Sequence, residues 1–305
     1  MRPDDSTVSR EQSIEIRLAA TKMLQDAGAL GTYPTPVDEI MRAAKIEIVP
    51  IALDESYLAK LRRRAEQTGK ALLSALSKLW GVFDPKARIA FIDPETPKEK
   101  VPFLKLHEGG HAVLPWQSIF GLFEDCRKTL DPEIKAQFER EANVFASDVL
   151  FQLDGFALEA ADHKFGITVP LRLAKRYGAS VYATVRRYVT SSDRTCAVVV
   201  LNPPELAEVV GYFCTIRRAI TSPAFDRKFP GLAWPTTVTP DDALGKIIPV
   251  NRMTGPRPLR IVDANGDTQE FVAEAFKTPH QTFILIHAAE KIRRRVLLAT
   301  EFEAV

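Results

Sequence analysis

The stretch 103–113, FLKLHEGGHAV, constrains this chain more than any other. His107 and His111 lie four residues apart, and Glu108 directly follows the first histidine. On a helix, residues at that spacing sit one turn above each other on one face. Two neutral imidazoles so placed can reach one metal ion. Glu108, about 100° further round, stays out of the coordination positions and can act as a base. With five histidines among 305 residues, an accidental pairing at this spacing is rare. A catalytic zinc takes three protein ligands and keeps one position open. The fold must therefore bring a third ligand to this helix from elsewhere.

The stretch 138–151, FEREANVFASDVLF, offers that ligand on a second helix. Glu139 and Glu141 both carry a carboxylate. Glu139 shares a helix face with Asn143, so Glu139 is favoured as ligand, with Asn143 supporting a ligand histidine from behind. Ala142 and Ala146 are small enough for close approach, while Phe138, Phe145 and Val149 supply packing. Gly109 and Gly110 cost a helix about 1 kcal/mol each against alanine. Close approach of another helix or of substrate backbone would explain them, and so would packing that tolerates them.

The surrounding chain reads as a mixed α+β protein. An amphipathic helix over 10–27 ends at Gly28, and a second runs from Pro36 to about Ala44. KIEIVPI, LWGVFD and ARIAFID read as strands, the last able to offer an edge to an extended peptide. Residues 56–78 read as a helix whose KLRRR cluster is a solvated face. Asp131-Pro132 begins a helix running to about Leu153. After Gly155, GITVPLRLAKRYGASVYATVRRYV reads as helix, tight turn, helix, with Thr168 and Ser180 as N-caps and Gly178 as the break. From Thr195 the chain turns β-rich, with a hairpin signal at Asn265-Gly266. His280 and His287 lack a third matched ligand and read as surface and strand histidines. The boundaries fall near 155 and 193.

Composition sets limits on function. Apolar residues make up 46% of the chain, enough for a sizeable core, and the formal net charge of +2 argues against a polycation. Arg172, Lys175, Arg176, Arg186 and Arg187 could meet phosphates, but near-neutral charge disfavours direct DNA binding, and solvated faces account for them. The three cysteines, Cys126, Cys196 and Cys214, form neither a disulfide framework nor a thiolate metal site. With a polar N-terminus and no apolar run near 20 residues, a cytoplasmic protein with no membrane association is expected.

HEGGHAVL, followed by EREANVFASDVLF, resembles the ImmA/IrrE metallopeptidase family. His107, Glu108, Gly110, His111, Glu139, Ala142, Asn143, Phe145 and Ala146 match its two helices position by position. The family's usual LLMP after the second helix is here VLFQ, without the proline. The resemblance implies a zincin-like peptidase domain over 1–155, with Zn2+ on His107, His111 and Glu139 and Glu108 as the catalytic base. The overall layout is similar to the IrrE type, which implies a helix-turn-helix segment over 156–192 and a β-rich, GAF-like sensor domain over 193–305. The substrate implied is a helix-turn-helix transcriptional repressor, cut to derepress stress, phage or mobile-element genes. The rival expectation is a DNA-binding or signal-sensing regulator with a structural or vestigial zinc site. For the oxyanion-stabilising group, His163, Tyr177 and Tyr182 are candidates by residue type alone.

Overall fold

The computed structural model describes residues 7–50, 81–84, 87–117, 132–207, 211–263 and 265–289. The expected helix 56–78 and Cys126 lie outside them, as does RRVLLATEF at 294–302, which reads in sequence as a further strand. The chain divides into two compact units, 1–192 and 193–305. The stretch 156–192, read above as a segment of its own, falls within the first unit.

The first unit opens with α1 (Arg10–Asp26). Its first turn is closed by a capping box: Gln12 N–H donates to Ser9 Oγ at 3.2 Å, and Ser9 N–H to Gln12 Oε1 at 2.8 Å. Ile16, Ala20, Met23 and Leu24 form its buried stripe. Gly28 ends the helix at φ +60, where glycine pays no side-chain clash, and Ala29 N–H closes back on the Leu24 carbonyl.

After α2 (Val37–Ala43) come three short strands, β1 (Glu47–Pro50), β2 (Gly81–Asp84) and β3 (Ile89–Ile92). They form a sheet in the order β1-β3-β2, with β3 parallel to β1 and antiparallel to β2. This corrects one expectation. ARIAFID supplies the central strand, so both its ladders are occupied and it offers no edge to a peptide.

The helix α3 (Val101–Val113) packs on β2 and β3 of this sheet and against a second helix, α4 (Pro132–Leu150). On α4, Ala142, Phe145, Ala146 and Val149 are fully buried at helical spacing. A Cβ at Gly110 would lie 3.2 Å from Ala142 Cα and 3.2 Å from a Phe145 ring carbon. Gly110 therefore lets the two backbones approach, and the close-approach reading holds there. Gly109 faces Met41 instead, where a Cβ would come to 3.1 Å from the sulfur. α4 stops at Leu150, short of the expected 153. Gln152 and Leu153 have φ of 54° and 57°, outside helical backbone. The turn lets the Gln152 side chain accept from Gly31 N–H at 2.9 Å and donate to the Ala29 carbonyl at 3.2 Å.

Three further helices follow among the described residues of the unit: α5 (Gly155–Ala161), α6 (Thr168–Tyr177) and α7 (Val181–Thr190). The break at Gly178 is left-handed, φ 66°, and Ser180 Oγ caps α7 by accepting from Ala183 N–H. Thr168 does not cap α6. Ile167 holds that position without a side-chain bond. The pair is packed into the unit. Tyr177 is fully buried among Tyr33, Phe151 and Phe156. Arg187 donates to Asp148 Oδ1 at 2.8 Å and to the Leu153 carbonyl at 2.7 Å, tying α7 to the C-terminal end of α4.

The second unit is a mainly antiparallel sheet. Its strands are β4 (Cys196–Leu201), β5 (Glu205–Ala207), β6 (Gly211–Thr221), β7 (Thr237–Val238), β8 (Met253–Val262), β9 (Thr268–Lys277) and β10 (Thr282–Ala288). The order is β5-β6-β4-β10-β9-β8, with β7 added on β6. β4 and β10, the central pair, are buried along almost their whole length, which is why they read as unbroken apolar runs. On one face, Val199, Leu201, Phe271, Ile284 and Ile286 pack with Phe225 of α8 (Pro223–Lys228) and with Phe229, Leu244 and Ile247. The expected hairpin is present: Gly266 has φ +85°, and Asp263 accepts from the N–H groups of Asn265 and Asp267. Cys196 and Cys214 are buried free thiols. His287 is buried on β10, and His280 lies in the turn before it. The whole is an α+β protein, and no helix among the described residues is long and apolar enough to cross a membrane.

Candidate metal centre

The touching helices α3 and α4 bring three donors together. The Nε2 atoms of His107 and His111 lie 3.2 Å apart. Glu139 Oε2 lies 3.3 Å from the first, and Oε1 lies 3.8 Å from the second. The donor atoms of the three residues all fall within 4.8 Å of one another. Ligands about 2.0–2.1 Å from a tetrahedral zinc sit about 3.3 Å apart, so this spacing suits such an ion. Among the described residues the group contains these three and no fourth His, Cys, Asp or Glu. The Glu139 side chain is half exposed, and those of His107 and His111 are largely buried.

The ring nitrogens on the far side settle the chemistry of this set. His107 Nδ1 lies 3.1 Å from Asn143 Oδ1, and His111 Nδ1 lies 2.7 Å from Gln117 Oε1. An amide oxygen only accepts, so each Nδ1 carries the proton, and each ring, when neutral, presents its Nε2 lone pair. Two lone pairs and a carboxylate then converge on one point. A cation at that point would satisfy all three, so the donor set fits a metal ion; a proton shared between His107 Nε2 and Glu139 Oε2 also satisfies part of it.

The charges respond accordingly. Burial pushes the His107 imidazole down, but the hydrogen bond to Glu139, the charges of Glu108 and Glu139 and the bond to Asn143 hold it above its ordinary 6.5. Burial pushes the Glu139 carboxyl up, but the His107 hydrogen bond and the charges of His107, His111 and Lys135 hold it below its ordinary 4.5. The raised histidine stabilises the chelated protein fully below 6.5 and loses that effect as pH rises through its folded value. The lowered glutamate contributes fully above 4.5 and loses its effect as pH falls. We expect the pair's contribution to the thermal stability of chelated protein to be greatest between pH 4.5 and 6.5. Zinc affinity should follow the opposite course, falling as acid protonates His107. A pH series of melting curves with and without chelator measures both.

The remaining sequence candidates sort clearly. Glu108 is buried, at 5% exposure, on the same helix as both histidines. Glu141, the rival third ligand, faces away from the three donors. Its Oε1 accepts from Gln12 at 3.1 Å and Gln137 at 2.9 Å, and its Oε2 from Trp116 at 2.7 Å and Gln117 at 2.6 Å. Tyr177 donates its hydroxyl to Glu159 at 3.1 Å inside the aromatic cluster, and burial raises its pKa. That hydroxyl is committed away from the centre. Gln117 escapes sequence reasoning: it lies six residues past His111 and belongs to no motif.

Fold and site together define an α+β protein that carries a cluster of two histidines and one glutamate on a pair of touching helices. No family model matches the chain, and no curated protein matches it. Among solved structures, one described as a Mycobacterium tuberculosis transcriptional regulator is similar over 90% of this chain and 75% of its own, at 14% identity and a TM-score of 0.49.

Proposed function

We propose that the chain is a zinc-dependent endopeptidase of the ImmA/IrrE kind, with a zincin-like peptidase domain, that cuts a helix-turn-helix transcriptional repressor. One observation carries this reading: the Nε2 atoms of His107 and His111 and the Glu139 carboxylate converge, with both Nδ1 atoms bonded to amide oxygens. Three donors converge among the described residues, the number of protein ligands a catalytic zinc takes. When bound, zinc supplies Lewis acidity, polarising a peptide carbonyl and acidifying water. Glu108 takes the proton of the attacking water and returns it to the leaving amine. Asn143 and Gln117 hold the histidines in the tautomer that ligation needs. The second unit serves as a GAF-like sensor, a role supported by a recess of about 310 Å³ lined by Trp234, Leu244, Leu259 and Ile261.

The rival, a DNA-binding regulator, loses part of its support. Arg187 is spent on Asp148 and the Leu153 carbonyl, while Arg176 pairs with Glu159 and stands over the Tyr33 ring. Arg172 and Lys175 remain exposed. The test is metal analysis of the purified full chain, then incubation with the repressor encoded beside its gene. The expected result is stoichiometric zinc and one cut, abolished by a chelator and restored by zinc. Duplex DNA binding by a chain that takes up no zinc would favour the rival.

A further inference from the structure

We propose that Gln117 is a positioning residue for the metal centre, aiming His111 at the metal, and that the buried Glu141 carboxylate anchors it. The inference rests on the metal reading above and adds a second support to the centre, independent of Asn143.

Gln117 is 4% exposed. Both hydrogens of its amide are placed: one donates to Glu141 Oε2 at 2.6 Å, the other to the Phe138 carbonyl at 3.2 Å. The amide cannot flip without turning its oxygen onto these two acceptors. Its oxygen therefore faces His111 Nδ1, at 2.7 Å, and forces the proton onto that nitrogen. A neutral ring protonated at Nδ1 has its lone pair on Nε2, the atom that meets His107 and Glu139.

Glu141 makes this arrangement rigid. An ionised carboxylate only accepts and offers about four lone-pair directions, and four N–H donors fill them. Those donors come from α1 (Gln12), from α4 itself (Gln137) and from the helical residues just after the break that follows α3 (Trp116 and Gln117). Asn143 holds His107 from the ligand helix. Gln117 holds the other histidine, His111, and is itself held by a carboxylate two residues beyond Glu139. The line carboxylate–amide–imidazole extends the carboxylate–histidine support common at zinc sites by one amide.

The experiment compares wild type, Gln117→Met and Trp116→Phe as full-length proteins. Zinc affinity is measured by competition with a chromophoric chelator, and ligand geometry by the visible absorption of the Co2+-substituted proteins. Gln117→Met keeps the volume but removes the acceptor. It should weaken zinc binding about 10- to 100-fold and shift the cobalt bands. Trp116→Phe removes a bond to the same Glu141 oxygen without touching the Gln117–His111 pair, and should leave affinity and bands close to wild type. A folded Gln117→Met protein with wild-type affinity and cobalt spectrum overturns the inference while sparing the metal reading. Wild-type protein that takes up no zinc overturns both. A third measurement needs no variant: imidazole 15N shifts of zinc-loaded wild type should show His111 protonated at Nδ1. A His111 bearing its proton on Nε2 overturns the proposal.

Discussion

Glu108→Gln is expected to keep its zinc and lose cleavage by about 10²- to 10⁴-fold, the usual contribution of a positioned proton acceptor. Glutamine nearly matches glutamate in shape, and Glu108 lies outside the three converging donors. The metal therefore has no reason to leave, but an amide cannot accept the proton from water. Glu139→Gln should part company with it. There a weak neutral oxygen replaces the anionic member of the donor set, so zinc content and cleavage should fall together. Zinc per chain and cutting of the cognate repressor, measured on both variants, separate the two roles. A Glu108→Gln protein that still cuts at the wild-type rate overturns the mechanism. A Glu139→Gln protein with full zinc moves the third ligand elsewhere. Glu141→Gln, which from the sequence alone should change little, is expected to destabilise the fold, because the buried Glu141 carboxylate accepts four hydrogen bonds. An amide at that position supplies fewer acceptors than the four donors around it require.

Arg187→Met should cost about 3–5 kcal/mol of stability, because it leaves the Asp148 carboxylate buried without its partner. The Asp148 side chain is 9% exposed and that of Arg187 15%, so water can replace little of the lost contact. The same guanidinium also serves the Leu153 carbonyl, at the point where the chain leaves α4. For a unit of this size the melting temperature should fall on the order of 10 °C. Adding Asp148→Leu should recover much of the loss, since removing both charges relieves the unpaired one. Thermal melts of the three proteins test this, alongside titration of random duplex DNA. If Arg187→Met melts with wild type but loses salt-dependent DNA affinity, the arginine reads phosphates and the buried pair is incidental.

Local patterns in the sequence account for much of the molecule. The capping residues Ser9 and Ser180, the breaks at Gly28 and Gly178 and the Asn265-Gly266 hairpin follow from short-range hydrogen bonding and glycine's freedom at positive φ. The four-residue spacing of His107 and His111 is enough to define a common helix face. Glu139 could be paired with Asn143 because a helix places residues four apart together, and the geometry does turn Asn143 onto His107.

Other features depend on long-range packing. Glu139 and Glu141 lie about 200° apart around the same helix, so either could have faced the histidines. Only the way α4 seats on α3, through Gly110 against Ala142, turned Glu139 inward. The central place of β3 depends on its pairing with β1, far earlier in the chain, and no local alternation encodes that. Arg187 looks in sequence like one more surface cation, and it became buried because α7 folds back onto the end of α4. Gln117 lies beyond a helix break and outside every motif, yet the bend after α3 delivers its amide to His111. Periodicity and capping are written within a few residues, so the sequence by itself determined most of the helices and turns and the helix face that His107 and His111 share. The partner of a side chain from a distant part of the chain is chosen by which surfaces meet. The third ligand's direction, the supports behind the histidines and the buried ion pair were therefore decided by the tertiary structure alone.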